Sequence, residues 1–130
     1  MRIVFLCVEN ANRSQLAEAF ARMYAASGVE VYSAGSRPSG QVHPRAIEAM
    51  RELGYDMTGH RSKGLDALPP GTFDVAVTLC GDECPMLPAH RRISWQIPDP
   101  KDLGPEDYRQ VRDLIGRMVH ALLAEYGVAR

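Results

Sequence analysis

The chain has almost no net charge: fifteen Lys and Arg stand against sixteen Asp and Glu, a formal charge of -1. This excludes a protein held mainly on nucleic-acid phosphates, which needs a strongly basic face. Long apolar runs are missing as well. The opening run, Ile3 to Val8, falls far short of the ~20 apolar residues of a membrane span. It is also too short for a signal-peptide core with its cleavage site, and acidic Glu9 follows at once. There is no internal repeat, low-complexity tract or charge block. Cysteine is scarce: 130 residues hold three, Cys7, Cys80 and Cys84. So small and odd a number excludes a secreted disulfide scaffold. A cytoplasmic, reducing location is the simplest expectation, and any disulfide there is transient. The thiols are then either buried side chains or groups that do chemistry.

What is present is ordinary for a globular chain, with 45% hydrophobic and 24% charged residues. At this length one core buries roughly two-thirds of the unfolded surface, so residues 1–130 are expected to form a single domain. Ile3 to Val8 reads as a strand buried on both faces. From Ser14 the period becomes helical through Leu16, Ala17, Phe20, Met23 and Tyr24, with Gly28 as the stop. Val29 to Ala34 predicts a second strand ending at Gly35. His43-Pro44 opens a helix through Ala46, Ile47, Met50 and Leu53, closed by Gly54. Phe73 to Cys80 predicts a third strand, and Ile93 to Ile97, around Trp95, a weaker fourth. The last helix starts near Pro105, with Glu106 and Asp107 in its first turn. It buries Val111, Leu114, Ile115, Met118 and Leu122 and stops at Gly127. Strands alternating with helices predict an α/β fold, a parallel sheet covered on both faces. Ligands bind such sheets at the strand ends. There the loops after Val8, Ala34 and Leu79 meet, and the first and third carry the cysteines.

The segment Cys7-Val8-Glu9-Asn10-Ala11-Asn12-Arg13-Ser14 has the form C-x5-R-S between a strand and a helix. Five intervening residues can wrap so that successive backbone N–H groups point at one tetrahedral oxyanion. The helix N-terminus adds its dipole. Arg13 can fork onto two oxygens, a geometry Lys lacks. Cys7 lies at the floor of this positive nest, which favours the thiolate, the form that attacks. Ser14 can donate its hydroxyl to that sulfur, and Asn10 can hold the loop's shape through backbone bonds. Val8 to Arg13 are therefore the candidate oxyanion-binding residues. The bland alternative is a small apolar Cys ending a buried strand, with Arg13 on the surface. The strand–loop–helix setting argues against it.

This motif, continued by Gln15-Leu16-Ala17-Glu18-Ala19-Phe20, resembles the low-molecular-weight protein tyrosine phosphatase family. Within that family it is most similar to the thioredoxin-coupled arsenate reductases. The likeness extends to Tyr32-Ser33-Ala34-Gly35, Pro44-x-Ala46-Ile47-Glu48-Ala49-Met50, His60-x-Ser62, Val77-Thr78-Leu79-Cys80, Cys84-Pro85 and Asp99-Pro100. It implies a single-domain, four-stranded parallel sheet with helices on both faces, Cys7 as nucleophile and Asp99 as general acid.

Cys7, Arg13 and Asp99 are common to both branches, so the segment Cys80-Gly81-Asp82-Glu83-Cys84-Pro85 separates them. A phosphatase needs one thiolate, later released by water. A reductase must supply two electrons, and thiols do so by ending as a disulfide. The resemblance implies that Cys7 attacks arsenate, Cys80 attacks the adduct and releases arsenite, and Cys84 then attacks Cys80. Thioredoxin, or glutaredoxin in its place, would reduce the resulting disulfide. Two alternatives remain for the pair: unrelated strand-end and loop cysteines, or a zinc site, for which His90 is the only obvious further ligand where four are needed. No metal or other cofactor is expected, and the partners are an oxyanion and a reductant protein acting on a monomer. Phosphomonoester hydrolysis through a Cys7 phosphoenzyme is the alternative function. Lys101-Asp102-Leu103 stands where tyrosine phosphatases of this fold carry aromatic walls, and its lack of rings suits a small oxyanion.

Three positions depart from the resembling branch. Asn12 replaces an additional loop cysteine, and the Cys80–Cys84 interval is short. Lys63 stands where some members place a potassium-binding Asp beside residues matching Asn10, Glu18 and Ser33. Potassium is therefore not expected. Glu9 should point away from a bound dianion, and His60 is the histidine placed to brace the loop. His43, His90 and His120 read as surface or capping residues, and Trp95 as core. Arg91-Arg92 reads as a solvated edge or a contact for an acidic partner.

Overall fold

The structure is a computed structural model that describes residues 1–79 and 87–130. Its strands are β1 (Arg2–Cys7), β2 (Glu30–Gly35), β3 (Phe73–Thr78) and β4 (Ala89–Ser94). They form one parallel sheet in the order β2-β1-β3-β4. The helices are α1 (Arg13–Tyr24), α2 (Pro44–Arg51) and α3 (Pro105–Glu125), with a 3-10 turn at Leu65–Ala67. The chain leaves β1 toward β2 on one side and returns to β3 on the other. The C-terminal end of β1, where Cys7 lies, is therefore the topological switch point at which such sheets bind ligands.

β1 is central, so both of its faces are covered and its sequence is continuously apolar. Ile3 and Phe5 share one core with Leu16, Ala17 and Phe20 of α1, Val75 and Val77 of β3, and Ile115, Val119 and Leu123 of α3. Val4 and Leu6 face the other way, into a smaller cluster with Ala34, Phe73 and Ala76 that Leu65 of the 3-10 turn and Leu68 just after it cover. α1 and α3 approach closely because Gly116 has no side chain. A Cβ there would stand 2.8 Å from the Phe20 ring. Among the described residues no helix is long and apolar enough to cross a membrane.

Several boundaries differ from the sequence expectation. The fourth strand spans Ala89–Ser94, not Ile93–Ile97. It is an edge strand carrying exposed Arg91 and Arg92, a charge pattern that hides a strand while guarding the edge against further pairing. Trp95 lies just beyond it, nearly buried and tilted against Phe5 at 6.2 Å, with its backbone N–H on the Thr78 carbonyl. α1 ends at Tyr24, before Gly28, because Ala25 pairs with Ala129 and the Ala26 N–H donates to Val128 O. β3 ends at Thr78, and Cys80 lies outside the described residues. At α2 the start matches expectation: Pro44 occupies the first turn, and His43 accepts the Arg45 N–H on Nδ1 at 3.1 Å.

Candidate active site

The loop from Cys7 to Arg13 is held from outside by its carbonyls. Ser36 N donates to Cys7 O, Arg37 N to Val8 O and Ser39 N to Glu9 O. Gln15 Nε2 donates to Asn10 O, His43 N to Ala11 O and Leu16 N to Asn12 O. Ser62 Oγ adds a second bond to Glu9 O at 2.9 Å. With the carbonyls engaged outward, the loop's concave side is left to N–H groups, the arrangement that binds an anion. β2 must come very close to allow this. A Cβ on Gly35 would stand 2.4 Å from Val8 O, so only glycine fits.

Asn10 is the internal strut. It is fully buried and adopts φ +52°, a left-handed conformation that Asn tolerates better than most residues. Its N–H lies 3.2 Å from the Cys7 sulfur. Its Nδ2 donates to Ser14 Oγ at 2.8 Å and to Ser33 Oγ at 3.0 Å, while its Oδ1 accepts from Gln15 Nε2 and Lys63 N. Ser14 Oγ accepts from Asn10 and lies 2.7 Å from the Cys7 sulfur; when Cys7 is a thiolate, which can only accept, the Ser14 hydroxyl is the donor of that bond. Two donors thus converge on a Cys7 thiolate, one backbone and one hydroxyl.

Behind this strut lies a buried charge cluster. Glu18 is 4% exposed and contacts Arg22 Nε at 2.8 Å, Lys63 Nζ at 3.4 Å and the Ser33 hydroxyl. Burial pushes its carboxyl up. The Lys63 ammonium, the Ser33 hydroxyl, His60 and Arg22 together outweigh that, holding it below the ordinary carboxylate range. Lys63 Nζ also donates to Ser33 Oγ at 3.1 Å and to Arg61 O at 3.2 Å. The ammonium thus sits among the side chains that the resemblance associates with potassium. Burial lowers the His60 pKa, so the ring is neutral near pH 7. Its Nδ1–H then donates to Gln15 Oε1 at 3.0 Å and its Nε2 accepts from the Tyr55 hydroxyl at 2.7 Å. His60 braces the loop indirectly, through Gln15.

In front of the loop lies a cavity of about 570 Å³ lined by Cys7, Val8, Glu9, Ala11, Asn12, Arg13, Arg37, Asp99 and Lys101. Of the candidate oxyanion-binding residues, five line it and Asn10 stands behind. Arg13 is fixed by a 2.9 Å bond from a guanidinium nitrogen to Ile97 O, on the segment that carries Asp99. Asp99 is exposed at the cavity and accepts the Lys101 N–H at 3.0 Å. Glu9 is exposed at the rim. No aromatic side chain is among these lining residues: Trp95 packs in the core, and the buried Tyr108 turns its hydroxyl to Asn12. Cys80 and Cys84 lie outside the described residues. Among those described, no three His, Cys, Asp or Glu side chains gather as a metal site would require.

The family model for low molecular weight phosphotyrosine protein phosphatases matches residues 2–129. The chain belongs to this family. An arsenate reductase of Bacillus cereus is 40% identical over 121 residues, covering 90% of this chain and 90% of its own. A solved structure described as an arsenate reductase in the phosphate binding state is 33% identical with a TM-score of 0.83, covering 95% of this chain and 97% of that one. The Corynebacterium glutamicum thioredoxin-dependent arsenate reductase structure is 32% identical with a TM-score of 0.75, over 95% of this chain and 60% of that one.

Within this phosphatase-family site, several supports escaped sequence reasoning. Gln15 is one, a buried amide whose three acceptors, Asn10 O, Asn10 Oδ1 and Arg61 O, include one 46 positions away. Tyr108 is another, reaching Asn12 across 96 positions. Arg37 and Lys101 at the rim are a third. The signals were faint, because a polar residue beside a helical apolar stripe looks like any solvated position until its long-range partners are known.

Proposed function

We propose that the protein reduces arsenate to arsenite by a three-thiol relay. The observation that carries this reading is the convergence of Asn10 N–H and Ser14 hydroxyl on the Cys7 sulfur, at the floor of a loop whose carbonyls are engaged outward. Cys7 attacks arsenic, a sulfur–arsenic bond forms, and an oxygen leaves as water after protonation by Asp99. Arg13 and the N–H groups of Val8 to Arg13 hold the remaining oxygens. The Cys80 thiolate attacks the Cys7 sulfur, and the sulfur–arsenic electron pair stays on arsenic. Arsenate becomes arsenite while Cys7 and Cys80 become a disulfide, which balances two electrons. Cys84 then attacks Cys80, freeing Cys7 and leaving a Cys80–Cys84 disulfide for a reductant protein. Thioredoxin is that reductant in this reading, with glutaredoxin as the alternative, in a cytoplasmic, single-domain monomer.

Supporting the reductase over a phosphatase are the names of the B. cereus and C. glutamicum relatives and the ring-free lining of the cavity. The phosphomonoester reading keeps one observation of its own, the family description itself, and uses the same Cys7, Arg13 and Asp99. Arsenate-dependent oxidation of NADPH with thioredoxin and its reductase, measured beside p-nitrophenyl phosphate hydrolysis, tests both. The relay predicts rapid NADPH loss with at most slow hydrolysis. Hydrolysis alone would establish the phosphatase.

A further inference from the structure

Asn12 precedes the first residue of α1, the position where an Asn side chain ordinarily caps the helix by accepting an N–H from its first turn. Here it makes no capping bond, and its backbone (φ −121°, ψ −85°) lies outside the extended region where such caps sit. Its Oδ1 instead accepts the Tyr108 hydroxyl at 2.8 Å. Tyr108 is 3% exposed, on the first turn of α3, with the Arg45 guanidinium 5.9 Å above its ring. Burial raises the phenol's pKa, so the hydroxyl stays a donor at every physiological pH. The same helix end that Asn12 declines to cap faces the cavity through Arg13.

We propose that Tyr108 is a positioning residue that keeps Asn12 from capping α1, so that the helix N–H groups stay open for the oxyanion. This rests on the oxyanion-binding reading of the Cys7 loop. A side-chain cap and a bound anion compete for the same N–H donors, because the helix end has only a few that lack an internal partner. The Tyr108 hydroxyl draws Asn12 Oδ1 away and removes the competitor. Without that hydroxyl, the bond that holds the Asn12 side chain away is lost, and rotation of its ψ from −85° into the extended region brings Oδ1 onto the first turn as an ordinary cap.

The test is Tyr108→Phe, with inorganic phosphate as the binding probe in calorimetry and arsenate as the substrate. A capping bond acquired at the anion's expense should weaken phosphate by roughly three- to tenfold and raise the arsenate KM alike, with kcat kept. The thermal midpoint should hold or rise, since a cap has been added. Adding Asn12→Ala to Tyr108→Phe removes the new cap and should tighten phosphate again relative to the single variant. Wild-type phosphate affinity in Tyr108→Phe would overturn the proposal. So would a weakening accompanied by a lower thermal midpoint and unrelieved by Asn12→Ala, which describes a merely structural tyrosine. Phosphate binding reports on this device even if wild type fails to reduce arsenate, which separates its failure from that of the functional reading.

Discussion

The back and the front of the Cys7 loop are built from different materials. Behind it, Asn10, Ser14, Gln15, Ser33 and Glu18 are buried and bonded to one another, with Lys63 and His60 completing the web. In front, Glu9, Arg37, Asp99 and Lys101 are exposed and charged around an open cavity. The back fixes shape: each of its polar groups has left water, and an orphaned partner there costs about 1–3 kcal/mol. The front places charge beside whatever enters, and its side chains give up little hydration. Changes at the front should therefore alter chemistry with stability intact, whereas changes at the back should lower both.

The sharpest separation should come from Asp99→Asn. Losing a general acid typically removes about 10² to 10⁴ in rate, so kcat for arsenate should fall by that order while the thermal midpoint stays put. Steady-state kinetics beside calorimetric melting would show it. A matching drop in stability would mean that Asp99 belongs to the frame.

Lys63→Met attacks the back. It strips the Glu18 carboxylate of the nearby ammonium, the largest of the effects opposing burial. In the native protein the Glu18 pKa lies below 4.5, so its stabilisation is present above that pH and fades as pH falls through the folded value. Without Lys63 the folded pKa should rise, so less of that stabilisation remains above pH 4.5. Urea melts of both proteins should diverge with increasing pH, with the variant about 1–3 kcal/mol weaker at pH 7. A pH-independent gap would show that Lys63 contributes only packing.

The smallest effect should come from Arg37→Ala at the rim. Its charge acts on an approaching anion through water, so kcat/KM should fall about two- to fivefold at low salt, with the difference closing by 0.5 M salt. Arg37 is exposed, so urea melting should detect a change of no more than about 0.5 kcal/mol.

This division also explains what could be read from the sequence. The Cys7 segment is local: Cys7, Arg13 and Ser14 fall within eight consecutive residues, and the strand and helix around them announce themselves by apolar period. Both helices that flank the loop's supports were legible through Pro44 and Pro105. The back is non-local. Gln15, Tyr108 and Lys63 acquire their roles only when β2, α3 and the segment near Arg61 fold against the loop, and no spacing along the chain records that. β4 was misplaced for a related reason, since an edge strand that bears Arg91 and Arg92 has no apolar alternation to display. Cys80 and Cys84 lie outside the described residues, and their pairing and part in the chemistry rest on electron balance and family likeness.

The most direct test of the relay is a single turnover without reductant. Fully reduced Cys84→Ser protein, mixed with excess arsenate, should release one arsenite per chain and stop, trapped as the Cys7–Cys80 disulfide, while Cys80→Ser should release none. Sustained arsenite production by Cys80→Ser with thioredoxin, at the wild-type rate, would contradict the account.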